Sequence, residues 1–404
     1  MCTKQTLMFN SSTRIVKMCL SILLLLVFST IAFSQSVIEY VPGYPGKLPF
    51  KLETGYIGVG ETDEVQLFYY FIESERSPAN DPLVFWLTGG PGCSGFSALA
   101  YEIGPLTFDY ASFNGTSPAV TVNPYAWTQV ANIIFIDAPV GAGFSYATTS
   151  EGYYTSDTKS AQQSYIFLRK WLLDHPQFLG NQLYIGGDSY SGLIVPMLVK
   201  HGYLLGNPVT DSYTDVNFRI PYVHRVNLIS DELYEAARYN CHEDYVNYNI
   251  NNTLCVTALQ AIKECLLQIN LAQILEPQCA FASGKPKEVE WDLRVQEFKT
   301  MNYLLSETKL PELECRGTVG SWVRCPKALS TYTEDVTSSV AYQKNLTETG
   351  LRALIYSGDH DISVPWVATY AWIKALGGAG HTAPEYKHKE TLAMVDRFFA
   401  RYPI

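Results

Sequence analysis

Positive charge is in short supply in this chain. Its 404 residues include 29 lysines and arginines against 39 aspartates and glutamates, which gives a formal net charge of -10. An acidic surface repels phosphate groups, so this balance argues against nucleic acid and against an anionic membrane face as partners. The chain is 47% hydrophobic and 17% charged, and its length allows one large domain or two with a large core.

Metal-binding and phosphate-binding motifs are also missing. The sequence has no HExxH segment, and no spacing among its cysteines resembles a zinc site, so we expect no metal. The glycine-rich stretch WLTGGPGCSG (Trp86–Gly95) lacks both the Lys-Ser/Thr end of a P-loop and the GxGxxG spacing. No internal repeat or low-complexity tract stands out.

The N-terminal apolar run, Met18–Phe33, is shorter than the roughly 20 residues that a membrane span needs. It follows three positively charged residues and ends at small and polar ones, which is the pattern of a cleaved signal peptide. We predict a signal peptide over residues 1–35, with an anchor helix as the alternative. The mature protein is then secreted or vacuolar, with no stable membrane span.

Secretion places the cysteines in an oxidising compartment. Two of the nine lie in the predicted signal peptide, so seven remain and at least one of them is unpaired. Sequons at Asn114, Asn251 and Asn345 fit a glycosylated surface.

Several apolar runs lack the alternation of half-buried strands, which favours a mostly parallel sheet buried on both faces. These runs are PLVFWL (Pro82–Leu87), NIIFIDAP (Asn132–Pro139), LYIG (Leu183–Gly186), GYLLGNP (Gly202–Pro208) and RALIYSGD (Arg352–Asp359). Between two of them, Ser156 or Asp157 can cap a helix. Its expected buried face consists of Ala161, Tyr165, Leu168 and Leu172, and Pro176 follows its end.

The pattern changes from about Asp211 to Thr300, where short amphipathic pieces are rich in Tyr, Asn and Cys. We interpret this region as a helical cap inserted into the sheet domain. The predicted division is a first core part at 36–210, a cap insertion at 211–300 and a second core part at 301–404.

A single serine, Ser189, lies between a strand and a predicted helix in LYIGGDSYSGLIVPMLVK (Leu183–Lys200). In an α/β-hydrolase the nucleophile occupies such a strained turn, and its neighbours two residues away must be small. Gly187 and Ser191 meet that requirement. The alternative is a polar turn with a capping serine.

A nucleophilic serine needs a base and an acid, and the chain order in this fold is serine, acid, histidine. Of the histidines that follow the candidate acids, His388 lies in charged YKHKE, and His360 lies between Asp359 and Asp361. His381, in the small-residue loop GGAGHTAPE, is the better candidate. Spacing alone leaves both aspartates open as its orienting acid.

The glycine-rich stretch offers the remaining part of such a site. Backbone amides on this turn can point at a developing oxyanion, together with the amide of Tyr190, the residue after the serine.

Six ordered motifs together resemble the serine carboxypeptidase family, whose fold is an α/β-hydrolase with a mostly parallel central sheet and an inserted helical cap. They are WLTGGPGCSG, FIDAPVGAGFSY, GDSYSG, GYLLGNP, YSGDHDISVP and GHTAPE. The resemblance implies a catalytic triad of Ser189, Asp361 and His381. It further implies oxyanion amides at Gly90 and Tyr190 and a substrate-binding network of Thr88, Gly89, Glu102 and Asp188.

The chain departs from the peptidases of this family at two network positions, where they typically have Asn for Thr88 and Glu for Asp188. In these positions it is similar to the plant carboxypeptidase-like acyltransferases, which move an acyl group from a glucose ester to an alcohol or amine. We favour acyl transfer over hydrolysis of a peptide C terminus; both use an acyl-enzyme on Ser189 and need no cofactor. A catalytically impaired family member is a third possibility.

The resemblance also implies disulfides between Cys93 and Cys325 and between Cys241 and Cys255. Cys279 lacks its usual partner, and Cys315 can replace it, which leaves Cys265 free.

Two connections are shorter than in the family: Lys200-His201 joins directly to Gly202, and AWIKAL runs straight into GGAGHTAPE. A helix over Val364–Leu376 would descend ~20 Å, whereas the four residues 377–380 recover at most ~14 Å. We therefore hypothesise a truncated or alternatively spliced product in which His381 reaches Ser189 only if that helix is shortened.

Overall fold

A nine-stranded sheet forms the centre of the molecule in the computed structural model, which describes residues 35–109, 119–199, 201–276, 324–325, 329, 331–376 and 388–400. The described strands are β1 (Gln35–Ile38), β2 (Leu52–Val59), β3 (Val65–Ile72), β4 (Leu83–Leu87), β5 (Leu106–Asp109), β6 (Ala119–Val122), β7 (Asn132–Ile136), β8 (Tyr146–Ala147), β9 (Thr155–Ser156), β10 (Leu183–Asp188), β11 (Gly202–Gly206), β12 (Tyr332–Thr333) and β13 (Arg352–Tyr356).

The strand order in the central sheet is β1-β2-β3-β7-β4-β10-β11-β13, with β8 paired to β3. The five strands from β7 to β13 run parallel, and they are the five that unbroken apolar runs predicted. Burial on both faces explains the pattern, because Trp86 packs in the apolar layer on one face of β4 while Phe85 and Leu87 pack in the other.

Sequence analysis missed the antiparallel hairpin of β2 and β3, which extends the sheet through eight paired residues on each strand. Its connection contains Gly60 and Asp63, both with positive φ. The strands are buried along nearly their whole length, so they lack the alternation that marks an exposed hairpin. Gln35 is the last residue of the predicted signal peptide, yet in the structure it is the first residue of β1 and pairs with Gly55 of β2. The strand therefore begins one residue before the predicted start of the mature chain.

The described helices are α1 (Asp157–Asp174), α2 (Ser212–Asn217), α3 (Arg219–Arg225), α4 (Asp231–Cys241), α5 (Thr253–Leu266), α6 (Val340–Glu348), α7 (Trp366–Leu376) and α8 (His388–Phe399). Ser156 caps α1 by accepting a hydrogen bond from the amide of Lys159. The predicted buried face of α1 was wrong in one member, because Tyr165 is 51% exposed. Ser164 and Trp171 are buried instead, so the face is rotated toward these residues.

Helices α2–α5 lie in the region predicted as the cap, and we call residues 211–276 the helical region. It has its own apolar cluster, which includes Tyr222, Cys255 and Ile262 and which Ile362 joins from the sheet domain. The remainder of the predicted cap, residues 277–300, lies outside the described residues, and the division at 210 and 300 stays a prediction.

The helix predicted after Ser189 is replaced by two short 3₁₀ turns, Ser189–Gly192 and Val195–Met197. Pro196 has no N–H to donate to a regular helix.

In the described part of the chain, no helix is both long and apolar enough to cross a bilayer. The apolar run of the predicted signal peptide lies outside the described residues.

Candidate active site

Ser189 occupies a strained turn at the end of β10. Its φ is 50°, a left-handed conformation that is uncommon for a residue with a side chain. The turn is fixed by two hydrogen bonds: the amide of Val209 donates to the Ser189 carbonyl at 2.8 Å, and the hydroxyl of Ser191 donates to the Asp188 carbonyl at 2.7 Å. Within the described part of the chain, Ser189 is partly exposed.

The residues around this serine leave no room for side chains. A Cβ on Gly187 would lie 2.2 Å from the Ser191 hydroxyl, and a Cβ on Gly192 would lie 2.5 Å from the Val209 carbonyl. Contacts within the fold therefore require glycine at positions 187 and 192, as expected for a nucleophile elbow.

The glycine-rich turn, Thr88–Gly95, packs directly against the serine. A Cβ on Gly89 would lie 2.7 Å from the Ser189 Cβ and 2.8 Å from the amide nitrogen of Tyr190. Gly90 has a φ of 119° and precedes a cis peptide bond to Pro91. The peptides of Gly90 and Tyr190 are thus neighbours beside Ser189, and their role as oxyanion donors stays a prediction.

A buried carboxyl, Asp137, holds the far end of the glycine-rich turn. It accepts hydrogen bonds from the Ser94 hydroxyl at 2.7 Å and from the amides of Gly95 and Phe144 at 2.8 Å each. Burial raises the pKa of Asp137 to about 6, although these donors act in the opposite direction. Asp137 belongs to the motif FIDAPVGAGFSY, but no sequence pattern indicated that its carboxyl supports the glycine-rich turn.

Asp361 is the buried member of the two candidate acids. It is 8% exposed, and its carboxylate accepts hydrogen bonds from the amides of Ser363 at 2.6 Å and Val364 at 3.3 Å. Burial raises the pKa of Asp361 to about 7, while those two amides and the charge of Arg219 lower it. The side chain of Asp359, by contrast, is 83% exposed. The role of Asp361 as the orienting acid stays a prediction.

Asn207 connects the serine turn with the acid. Its side-chain amide donates to the carboxylate of Asp361, and its backbone amide donates to the Tyr356 carbonyl at 3.2 Å. Two residues later, Val209 bonds the Ser189 carbonyl as described above. The segment 207–209 therefore supports both the Ser189 turn and the Asp361 carboxylate. No sequence pattern indicated this role.

The predicted base, His381, lies outside the described residues. The helix that precedes it, α7, begins at Trp366, two residues after the predicted start, and ends at Leu376 as expected. His360, the neighbour that we set aside, lies 3.7 Å from the exposed Asp359. The approach of His381 to Ser189 stays a prediction.

The predicted substrate network surrounds the same end of the sheet. The Gly89 amide donates to Oδ1 of Asp188 at 3.3 Å. Thr88 is 8% exposed, and its hydroxyl has no hydrogen-bond partner within the described residues. Glu102 ends a short π-helical turn, Ala98–Glu102, and is partly buried. Burial places the pKa of Tyr356 well above its usual value, and the charges of Asp188 and Glu102 raise this pKa further.

Two disulfides join Cys93 to Cys325 and Cys241 to Cys255, the pairings that the resemblance implied. Cys265 is free and exposed, while Cys279 and Cys315 lie outside the described residues. The sequon residues Asn251 and Asn345 are exposed, and Asn114 lies outside the described residues. Across the described ranges, no group of three or more His, Cys, Asp or Glu side chains is arranged to hold a metal ion.

A serine at a strained turn directly after a parallel strand, a glycine-rich turn against it and an acid after a later parallel strand define an α/β-hydrolase. The chain belongs to the serine carboxypeptidase family, whose model matches residues 42–378. The resemblance inferred from the six motifs is thereby confirmed, and with it an enzyme that is a hydrolase or an acyltransferase.

Its relatives include two proteins of Arabidopsis thaliana. Serine carboxypeptidase-like 13 is 40% identical over 431 aligned positions, which cover 95% of this chain and 98% of that protein. Serine carboxypeptidase-like 11 is 43% identical over 375 positions, which cover 88% and 85%. Among solved structures, Kex1(delta)p, a prohormone-processing carboxypeptidase from Saccharomyces cerevisiae, has a TM-score of 0.68 at 16% identity. That match covers 87% of this chain and 91% of the yeast chain, and it supports the fold.

The alignment with serine carboxypeptidase-like 13 has more positions, 431, than this chain has residues, 404. That relative therefore carries residues that this chain lacks, at a minimum of 27 positions (431 minus 404). The family match also ends at residue 378, three residues before His381.

Proposed function

We propose that this protein transfers an acyl group from a glucose ester to an alcohol or amine through an acyl-enzyme on Ser189. The observation that carries the proposal is the pair Thr88 and Asp188. An asparagine amide donates two hydrogen bonds, whereas a threonine hydroxyl donates one. Asp188 accepts from the Gly89 amide, so its shorter carboxylate is engaged with the glycine-rich turn. Both changes weaken a site that would bind a peptide carboxylate.

In the proposed first step, the Ser189 hydroxyl attacks the ester carbonyl and His381 takes its proton. The amides of Gly90 and Tyr190 stabilise the negative charge on the former carbonyl oxygen, and Asp361 orients the imidazole. Collapse of the intermediate breaks the bond to glucose, which leaves with the proton from His381. An acceptor hydroxyl or amine then attacks the acyl-enzyme, gives its proton to His381, and Ser189 is regenerated.

The test is to incubate the purified protein with a panel of glucose esters, with and without small alcohols and amines, and to look for disproportionation and transfer products. Blocked peptides are assayed in parallel, and Ser189→Ala is the inactive control. Transfer that depends on Ser189 supports the proposal. Release of a C-terminal residue from the peptides without transfer favours the carboxypeptidase alternative.

A fluorophosphonate probe distinguishes both enzymes from a catalytically impaired protein, because it reacts with an activated serine. Labelling of the parent and not of Ser189→Ala supports a working site. Absence of labelling would favour the impaired alternative, which the shortened segment before His381 motivates.

We also propose secretion or delivery to a vacuole, with glycans on the exposed Asn251 and Asn345. The two disulfides support an oxidising compartment. Enzymatic deglycosylation should lower the apparent mass of the parent, and Asn251→Gln and Asn345→Gln should each remove part of that change. An unchanged apparent mass in the parent would contradict the proposal.

A further inference from the structure

The turn that carries Asp361 is held from outside the sheet by the helical region. We call residues 359–364 the acid turn. The amides of Ile362 and Ser363 donate to the Leu271 carbonyl at 2.7 and 3.1 Å, and the amide of Ile274 donates to the His360 carbonyl at 3.0 Å. The acid turn is therefore supported by backbone that comes from the end of the helical region.

Helix α3 supplies a second set of contacts. The guanidinium of Arg219 donates through Nε at 3.0 Å and through Nη2 at 2.6 Å to the Ser363 carbonyl. On the same helix, the hydroxyl of Tyr222 donates to the Asp359 carbonyl at 2.5 Å. These side chains bracket Asp361, since one fixes the residue two positions before it and the other fixes the residue two positions after it.

We propose that Arg219 is a positioning residue for Asp361, which it fixes through the Ser363 carbonyl and faces with a positive charge. The inference rests on the proposed function, in which Asp361 orients the catalytic base. The Arg219 side chain can do both. Two of its N–H groups donate to the Ser363 carbonyl, and its positive charge still acts on the nearby carboxylate of Asp361.

The charge is needed because Asp361 is in a water-poor place. Burial disfavours its ionised form, and the amides of Ser363 and Val364 and the charge of Arg219 oppose that effect. Arg219 is itself partly buried. Burial lowers the pKa of its guanidinium, while the negative charges of Asp361 and Asp215 raise it. Among the described residues, Arg219, Tyr222 and the neutral side-chain amide of Asn207 interact with Asp361. Asp215 acts on Arg219, and Asp359 and His360 precede Asp361 in the chain and pair with each other. In the proposed site, His381 is a further partner.

Removal of the positive charge of Arg219 is expected to raise the pKa of the Asp361 carboxyl, and also that of a neighbouring imidazole such as His381 in the proposed site. Both changes move the acidic limb of the pH-rate profile to higher pH. A role limited to fold stability would not move that limb.

The experiment compares Arg219→Gln, which removes the charge, with Arg219→Lys, which keeps it and loses the fork. Rates of acyl transfer and of fluorophosphonate labelling are measured from pH 4 to pH 9, with thermal melting as the check on folding. We expect the acidic limb of Arg219→Gln to move up by about 1 pH unit, with KM within about two-fold of the parent. Arg219→Lys should restore the position of the limb and only part of the maximal rate.

Arg225→Gln is the matched control. Arg225 lies on the same helix, and its guanidinium lies over the ring of Trp366, 4.7 Å from the centroid and two residues beyond the acid turn. This variant should keep the parent's pH profile. An equal shift in both arginine variants, or an unshifted limb in Arg219→Gln, would overturn the inference.

A readout without activity separates this inference from the proposed function. Carboxyl-13C aspartate, assigned with Asp361→Asn, gives the titration of Asp361 by NMR, and Arg219→Gln should move its midpoint to higher pH. Such a shift in a protein that shows no acyl transfer would refute the proposed reaction and support Arg219 as the group that faces Asp361. An unchanged midpoint would refute the role of Arg219, whatever the enzyme does.

Discussion

The phenol of Tyr190, the residue after the proposed nucleophile Ser189, donates a 2.8 Å hydrogen bond to Oδ1 of Asp157. Asp157 is fully buried at the start of α1, and it also accepts from the hydroxyl of Tyr332 at 2.6 Å and the amide of Val336 at 2.8 Å. The Asp157 carboxylate at the start of α1 therefore links the turn that contains Ser189 and Tyr190 to β12.

Replacement of that carboxylate should disturb both folding and catalysis. Asp157→Ala leaves two phenols and one amide without their acceptor, so we expect a loss of about 3 kcal/mol in the free energy of unfolding. The Tyr190 amide shifts with its side chain, so kcat should fall at least ~10-fold. Urea unfolding and steady-state kinetics measure the two effects. Tyr332→Phe, which removes one donor, should cost about 1 kcal/mol; an unchanged kcat in Asp157→Ala would contradict the expected link to the serine turn.

Substrate choice should respond to Thr88 and Asp188 together. Thr88→Asn with Asp188→Glu is expected to raise carboxypeptidase activity relative to ester transfer, because an amide and a longer carboxyl restore donors for a peptide carboxylate. Parallel assays with a blocked peptide and a glucose ester give the ratio. If the ratio stays constant, the determinant lies elsewhere, and the helical region becomes the better candidate.

The identity of the base can be tested with two histidines. His381→Ala should reduce the rate of fluorophosphonate labelling at Ser189 by at least ~100-fold, since a positioned base contributes about that much. His360→Ala should leave it unchanged, because His360 pairs only loosely with an exposed carboxylate. The opposite pattern would assign the base to His360, and slow labelling of the parent itself would support the hypothesis that His381 does not reach the serine.

Asp361 should make the folded protein more stable at mildly acidic pH. Its folded-state pKa of about 7 lies above the unfolded value of ~3.9, so between these values the folded protein keeps a proton that the unfolded chain has lost. The stability from this group is present at low pH and is lost as the pH rises through about 7. Asp361→Asn is neutral throughout, so the variant's free energy of unfolding relative to the parent should be higher at pH 8 than at pH 5, by about 2 kcal/mol. Urea unfolding at both pH values checks this, and a difference of opposite sign would rule it out.

The disulfide between Cys93 and Cys325 should stabilise the glycine-rich turn. Replacing both cysteines by serine is expected to cost about 2 to 4 kcal/mol, whereas Cys265→Ser should change little because that thiol is free and exposed. Non-reducing peptide mapping establishes the pairing and chemical unfolding measures the cost. Recovery of Cys93 from the parent as an alkylated free thiol would disprove the pairing.

The predictable parts of this fold are those that depend on neighbours in the sequence. β4 and β7 could be predicted because an unbroken apolar run does not fit a strand with one exposed face. Both strands are buried at every position. The strain at Ser189 was evident because small residues flank it on both sides. The helix after Ser189 was predicted wrongly because its apolar spacing is helical, whereas Pro196 has no N–H to donate within a regular helix.

The parts that were missed depend on contacts between distant segments. Asp157 was considered a possible helix cap, yet it accepts hydrogen bonds from residues 33 and 175 positions away. Asn207 bonds Asp361 across 154 residues, and Arg219 bonds Ser363 across 144. A single polar residue has no periodic pattern, so its role becomes visible only when the sheet brings its partner close.

The backbone bonds from Leu271 and Ile274 to the acid turn have an evolutionary consequence. Backbone hydrogen bonds depend little on side-chain identity. The sequence of the helical region can therefore diverge while its hydrogen bonds to the acid turn are kept. A change of helix packing there is expected to move Asp361 without any substitution in the proposed triad. Chimeras that exchange this region between relatives should therefore inherit the donor's pH optimum along with its substrate range.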